Sequence, residues 1–212
     1  MKGFFITFEG MDGSGKTTQI QLLYQNLKER GYDVIVTREP GGTAISDKIR
    51  TLILDPQNTE MQAMTEVLLY AASRAQHVRE KIKPALDRGA IVLCDRFVDA
   101  SIAYQGYGLQ LPLDQVIGVN RIAADNLRPD RTYFLDIPMQ KSRERLEARF
   151  GAEGLDRIER KPLDYHSRVR EGFASLCRQE PDRVVIVGAD REIEAIQKGI
   201  FEDLVRFIGK RD

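Results

Sequence analysis

"GFFITFEGMDGSGKTTQI", residues 3–20, joins an apolar stretch, a glycine loop and the start of a helical pattern in one run. The loop spells G-x-x-x-x-G-K-S/T, with Gly10, Gly15, Lys16 and Thr17 in the fixed places. Its surroundings fit as well as its letters, because Ile20, Leu23 and Leu27 form one stripe of the helix that follows. Glycines at such a junction let backbone N–H groups converge on phosphate oxygens at a helix N-terminus. On this pattern Gly10, Met11, Asp12, Gly13, Ser14, Gly15, Lys16, Thr17 and Thr18 are expected to hold a nucleotide. Lys16 would neutralise β/γ oxygens, and Thr17 would turn its hydroxyl to Mg²⁺. The motif establishes the grip and leaves open where the terminal phosphoryl group goes.

Four more apolar runs follow "GFFITFE" (3–9): "YDVIVT" (32–37), "AIVLCD" (90–95), "RTYFLD" (131–136) and "RVVIVG" (183–188). They are nearly continuous rather than alternating, which suits strands buried on both faces of a parallel sheet. Helical patterns at 16–30, 43–54, 59–87, 112–125, 138–149, 160–178 and 190–208 lie between and after them. Strands alternating with helices predict an α/β fold with a five-stranded parallel sheet flanked by helices on both faces. Over 1–212 there is no internal repeat, low-complexity segment or linker, so a single domain is expected. In such sheets ligands sit beyond the carboxyl ends of the strands. Gly10, Arg38, Asp95 with Arg96, and Asp136 all fall there, a constellation suited to more than one phosphate.

Composition narrows the partners. Lys plus Arg equals Asp plus Glu, at 32 each, so no global basic field points to a nucleic-acid polymer. The two cysteines, Cys94 and Cys177, are too few for a disulfide framework and point to a reducing, cytoplasmic setting. No apolar run approaches the roughly 20 residues needed to span a bilayer, and "MKGFFITFEG" reads as a strand rather than a leader.

The acceptor is read from what surrounds the grip. A guanine-reading N-K-x-D segment is missing, which argues against a GTPase. Arginines are plentiful: Arg38, Arg74, Arg96, Arg143, Arg145, Arg149, Arg157 and Arg160. Phosphoryl transfer between two nucleotides gathers several negative charges, for which bidentate guanidinium groups are the natural counter-charges. Asp95 ends a strand, as a Mg²⁺ carboxylate or a helix cap would, and the neighbouring Arg96 favours the former. Within 59–87, Met61, Met64, Leu68, Ala71, Ala75, Val78 and Ile82 form one packing seam, while Tyr70, Arg74 and His77 form a second stripe. The second stripe can sandwich a base and fix a phosphate, or it can be the plain edge of an amphipathic helix. Ser101, Tyr104 and Gln105 share a face if their segment is helical, and a Gln amide can read a pyrimidine edge. His77 and His166 lack companions at metal spacing and read as structural, and Cys94 as a buried strand residue.

Four stretches together resemble the thymidylate kinase family: "FEGMDGSGKTT" (8–18), "TREPGGT" (37–43), "DRFVDASIAYQG" (95–106) and "GLDRIE" (154–159). The resemblance runs over effectively the whole chain and implies a P-loop kinase fold, with transfer of the ATP γ-phosphate to dTMP and Mg²⁺ as cofactor. It implies that Asp12 lies near the acceptor phosphate and metal, and that Arg38 and Arg96 hold the dTMP phosphate. By the same resemblance Tyr70 stacks on thymine, Arg74, Ser101 and Gln105 recognise the base, and Tyr104 crowds the sugar 2′ position. The chain departs from the family's usual pattern in "YAASR" for "FAADR" and "DAS" for "DSS". No arginine stands among Met11, Asp12, Gly13 and Ser14, so the chain resembles the bacterial-like branch whose cations come from a mobile lid. Residues 143–161 fit that lid, with Gly151 and Gly154 for flexibility and Arg145, Arg149, Arg157 and Arg160 for charge. The resemblance also implies a homodimer. A kinase for another nucleoside monophosphate is the same-class alternative, and a nucleotide-dependent switch or hydrolase the different-class one.

Overall fold

Each unbroken apolar run becomes a strand: β1 (Phe4–Glu9), β2 (Val34–Arg38), β3 (Ile91–Asp95), β4 (Arg131–Asp136) and β5 (Val184–Gly188). The computed structural model describes residues 3–151 and 154–209. All four pairings are parallel, in the order β2-β3-β1-β4-β5. That arrangement follows from strands joined by helical crossovers rather than hairpins. In the central strand Phe8 lies opposite Asp95 on one side and Tyr133 on the other. The register therefore brings Glu9–Gly10, Asp95–Arg96 and Asp136 to a common edge.

Residues of β1 alternate between two hydrophobic layers. Ile6 and Phe8 pack with Leu93 and Leu135 against α1 (Lys16–Glu29) and α9 (Ile193–Ile208), through Ile20, Leu23, Leu27, Ile196, Ile200 and Leu204. Phe5, Val92 and Cys94 face the other layer, against Val78, Ile82 and Leu86. Further along that side Phe134 and Val184 pack on α8 (Leu163–Gln179), where Phe173 stacks on Phe134 at 5.1 Å between ring centroids. Helices cover both faces, as the apolar continuity of the strands requires.

The remaining elements are α2 (Ala44–Leu54), α3 (Ala63–His77), α4 (Lys83–Asp87), α5 (Val98–Ser101), α6 (Leu113–Ala123) and α7 (Met139–Phe150). The expected single helix over 59–87 is corrected in two ways. It begins at Ala63, and it passes through a π-helical turn, Val78–Ile82, before α4. Pro84 explains the turn: it has no N–H to donate and its ring crowds the preceding carbonyls, so the wider π geometry takes up the misfit. A second π-helical turn, Ile102–Gly108, extends α5 and carries Tyr104 and Gln105. The seam assigned to 61–82 is also corrected. Ala71, Val78 and Ile82 are buried, but Leu68 is 53% exposed, and Arg74 and His77 on the second stripe are buried as well.

Candidate active site

Two cavities meet at the carboxyl edge of the sheet. The first is a cleft along the P-loop, walled by residues 12–19 and by Arg38, Asp95, Arg145, Arg149 and Arg191. The second lies between α3 and the α5 segment, and is walled by Tyr70, Arg74, Phe97, Ser101, Tyr104 and Gln105. Asp12, Glu39, Arg50, Arg96 and Asp156 line both. A donor and an acceptor bound in the two would face each other across Asp12 and Arg96.

In the P-loop, Gly13 has φ +75, and a Cβ there would come within 2.7 Å of the Ser142 carbonyl oxygen. Only glycine fits that approach. Ser142 Oγ in α7 donates to the Asp12 carbonyl at 2.6 Å, and Arg145 Nη1 donates to the Gly13 carbonyl at 3.2 Å. Lys16 is buried, with Nζ donating to the carbonyls of Gly10 (3.1 Å) and Met11 (2.9 Å). Burial, and then the Arg96 charge, lower its pKa. Ser14 Oγ is buried without a hydrogen-bond partner among the described residues, as befits a hydroxyl placed for a phosphate oxygen. Thr17 Oγ1 donates to Asp95 Oδ2 at 3.1 Å, so two hard oxygen donors stand side by side at the end of β3.

Arg96 is the hinge between the cavities. It has φ +68, which is uncommon for a residue with a side chain. Nη2 donates to Asp12 Oδ1 at 2.8 Å, the guanidinium lies 4.8 Å over the Tyr104 ring, and buried Nη1 has no partner among the described residues. Burial acts to raise the Asp12 pKa, but Arg96 and then Lys16 outweigh it and hold it at about 2. Behind them Glu9 is fully buried. Its Oε1 accepts from Phe97 N (2.7 Å) and Ala100 N (3.3 Å), and its Oε2 has no partner among the described residues. Burial, then the neighbouring Asp99 charge, push its pKa up to about 8 against the pull of Arg96.

In the second cavity Arg74 is buried. Nε donates to Glu39 Oε2 at 2.7 Å, and Nη1 to Ser101 Oγ at 3.1 Å and to Asn120 Oδ1. Glu39 Oε1 meets His77 Nδ1 at 3.0 Å, and His77 Nε2 meets Thr37 Oγ1 at 2.6 Å. The Glu39–Pro40 peptide that shapes this wall is cis. Tyr104 OH donates to Asp12 Oδ2 at 3.4 Å. Burial, with the nearby Glu66 charge, raises the Tyr70 pKa, so its hydroxyl stays protonated.

Comparison with known proteins bears on this geometry. The profile of a family described as Thymidylate kinase matches residues 8–200. The chain is 53% identical to the thymidylate kinase of Exiguobacterium sibiricum over 212 residues, covering 100% of this chain and 99% of that one. It is 47% identical to the thymidylate kinase of Geobacter sulfurreducens, covering 99% and 100%. The chain belongs to the thymidylate kinase family. A crystal structure of thymidylate kinase from Ehrlichia chaffeensis superposes with TM-score 0.77 at 32% identity, covering 96% of this chain and 99% of that one. Membership makes the chain an ATP-dependent kinase of dTMP with the P-loop kinase fold.

Set beside the family's expected site, the structure gathers Tyr70, Arg74, Ser101, Tyr104 and Gln105 around one cavity. It aligns the P-loop residues, Arg145 and Arg149 along the other. Arg38 lines the P-loop cleft, half-exposed, and donates to Asp47 Oδ1 at 3.1 Å. Arg157 is a correction. It does not stand with Arg145 and Arg149, because Nη2 donates to Glu66 Oε2 and Nε to the Ile53 carbonyl, each at 2.7 Å. The lid range 143–161 includes 152 and 153, which lie outside the described residues; Gly151, with φ +67, closes α7 before them. His77 and Cys94 are structural, as expected: both are fully buried, and His77 props Glu39.

Sequence reasoning missed Glu39, Glu66, Asn120, Arg50 and Glu9. Glu39 sits inside the quoted "TREPGGT" and follows directly on a strand, which was a usable signal. Glu66 and Asn120 matter through partners 39 and 46 residues away in sequence, which no local pattern encodes. Among the described residues no helix is long and apolar enough to cross a membrane.

Proposed function

We propose that dTMP occupies the α3–α5 cavity and ATP the P-loop cleft, with transfer taking place between them at Arg96 and Asp12. The observation that carries this reading is Arg96: one arm holds Asp12, and the other is buried, without a partner among the described residues, and positioned where both cavities open. Burying an unpaired guanidinium arm is costly, and an acceptor phosphate is the ligand that offsets that cost. Lys16, Ser14 and the loop amides hold the ATP phosphates. Arg38 and Arg96 hold the dTMP phosphate, while Arg145 and Arg149 bring charge from α7 to the transferring group. Tyr70 stacks on the base, Arg74, Ser101 and Gln105 fix it, and Tyr104 guards the sugar.

Phosphoryl transfer asks little covalent chemistry of a protein. A dTMP phosphate oxygen forms the new bond to the γ-phosphorus in line, the bond to the β–γ bridging oxygen breaks, and ADP leaves. No protein nucleophile takes part. Thr17 and Asp95, both oxygen donors, suit Mg²⁺, which when bound would offset charge on the donor phosphates. Closure of the lid over the cleft would keep water from competing as acceptor.

We further propose a homodimer in the cytoplasm. α3 and α6 pack on each other and leave Leu68 (53% exposed), Ile117 (47%) and Ile122 (79%) uncovered, apolar surface that a second copy would bury. Cys94 and Cys177 are free thiols, which fits a reducing compartment. The test of the reaction is an ADP-release assay across nucleoside monophosphates. Preference for dTMP is expected, and preference for another acceptor, or ATP turnover without one, overturns the site assignment.

A further inference from the structure

Gln105 lies in the π-helical turn Ile102–Gly108 at the base end of the acceptor cavity, almost wholly buried. Its Nε2 donates to Glu66 Oε1 at 2.8 Å. Glu66 is equally buried, and its other oxygen accepts from Arg157 Nη2 at 2.7 Å. Arg157 is in turn fastened to the end of α2, with Nε on the Ile53 carbonyl (2.7 Å) and its backbone N–H on the Leu54 carbonyl (3.2 Å). On α3, Glu66 sits one turn before Tyr70 and two turns before Arg74, so the helix that supplies two ligand-facing groups also supplies this carboxylate.

An ionised carboxylate only accepts hydrogen bonds, whereas a carboxamide has one donating end and one accepting end. Glu66, held by a buried guanidinium, therefore dictates which way Gln105 points. Turning the amide over would set Gln105 Oε1 against Glu66 Oε1, acceptor against acceptor, in a place closed to water. Fixed in this sense, the amide offers a ligand its oxygen and its second N–H side by side. That pair complements a pyrimidine edge with an N3–H beside a 4-carbonyl. It opposes an edge with a bare N3 beside a 4-amino group, which needs the reversed amide.

We propose that Glu66 is a specificity-determining positioning residue: by orienting the Gln105 carboxamide it selects thymine-type over cytosine-type monophosphates. Arg157, from the segment after α7, keeps Glu66 in place as an acceptor. The inference rests on reading this cavity as the dTMP site. A site that must leave a buried polar group unpaired to take the wrong ligand discriminates far better than one that merely misses an apolar contact.

The test is steady-state kinetics of the full chain and Glu66→Gln with dTMP, dUMP and dCMP. Arg157 can only donate, so the amide introduced by that substitution turns its oxygen to Arg157 and its NH2 to Gln105, which favours the reversed sense of Gln105. The dTMP:dCMP ratio of kcat/KM is expected to fall at least tenfold. The dTMP:dUMP ratio should hold within about twofold, because dUMP presents the same edge, and the KM for ATP should not move. A pocket that had merely loosened would change both ratios together, and that result overturns the proposal, as does a dTMP:dCMP ratio that falls less than tenfold. Glu66→Gln combined with Arg157→Gln removes both buried charges and repeats the measurement should the single variant fold poorly. A parent protein without preference for dTMP over dCMP overturns the site reading along with the inference. A parent with that preference, carried unchanged into the variants, overturns the inference alone.

Discussion

Glu9→Gln isolates the most perturbed carboxyl of the site. Glu9 ends β1, is fully buried, and carries a pKa raised from 4.5 to about 8. Burial is the main cause, and the next is the charge of Asp99, which accepts two bonds from Arg183 at 2.7 and 2.9 Å; Arg96 and Lys16 pull the other way. The folded protein thus keeps a proton that the unfolded chain releases above pH 4.5. The stability tied to that proton is intact below this pH and drains away as pH climbs towards 8. At about 1.4 kcal/mol per pH unit, the whole window is worth on the order of 5 kcal/mol, and the part from about pH 5 to about pH 8 on the order of 3 kcal/mol. A glutamine retains the oxygen that accepts from Phe97 N and Ala100 N and does not titrate. Urea melts of parent and Glu9→Gln at four pH values should therefore show a difference that moves by roughly 3 kcal/mol in favour of the variant as pH rises. Any fixed cost of the new amide cancels, because only the slope is read. A difference that stays level across the range would mean that Arg96 already keeps Glu9 ionised in the fold, and the reasoning would fail.

Lys16→Met should leave the fold intact by circular dichroism and lower kcat by about a thousandfold or more, since no other group replaces its charge on the donor phosphates. Arg96→Ala removes a charge-assisted contact worth about 2–3 kcal/mol. Its dTMP KM should rise on the order of 30- to 160-fold with the ATP KM little changed, and unchanged dTMP kinetics would refute the assignment. Phe173→Ala empties a site 2% exposed between Phe134 and Tyr104, and should cost about 3–5 kcal/mol in urea denaturation. dUMP should be a poorer but real substrate, because the missing methyl is worth only about 1–3 kcal/mol in kcat/KM.

What could be read from the chain depended on how locally it was written. The five strands were legible because sheets covered on both faces need unbroken apolar runs, and "IVLCD" or "FFITFE" can hardly be anything else. The P-loop was legible because phosphate binding there depends on backbone shape, which glycine spacing reveals. α3 was half-legible. Its period marked the helix but did not divide inside from outside: Leu68 is exposed while Ala71, Val78 and Ile82 of the same stripe are buried, and so are Arg74 and His77 of the other. Their burial is tolerated only because Glu39, Ser101, Asn120 and Thr37 meet them from other elements. Arg157 was misassigned for the same reason: its partners Glu66 and Ile53 are supplied by tertiary structure, not by the glycine-flanked stretch in which it stands.

The contact of Gly13 with the root of α7 has an evolutionary consequence. A side chain at position 13 would run into the Ser142 carbonyl, the seat on which that helix rests beside the loop. An arginine placed there would bring its own charge to the phosphates while dislodging the helix that carries Arg145 and Arg149. For this backbone the two sources of charge are rivals rather than supplements. A lineage exchanging one for the other has to reshape the seat of α7 in the same step, or pass through ancestors that lack both.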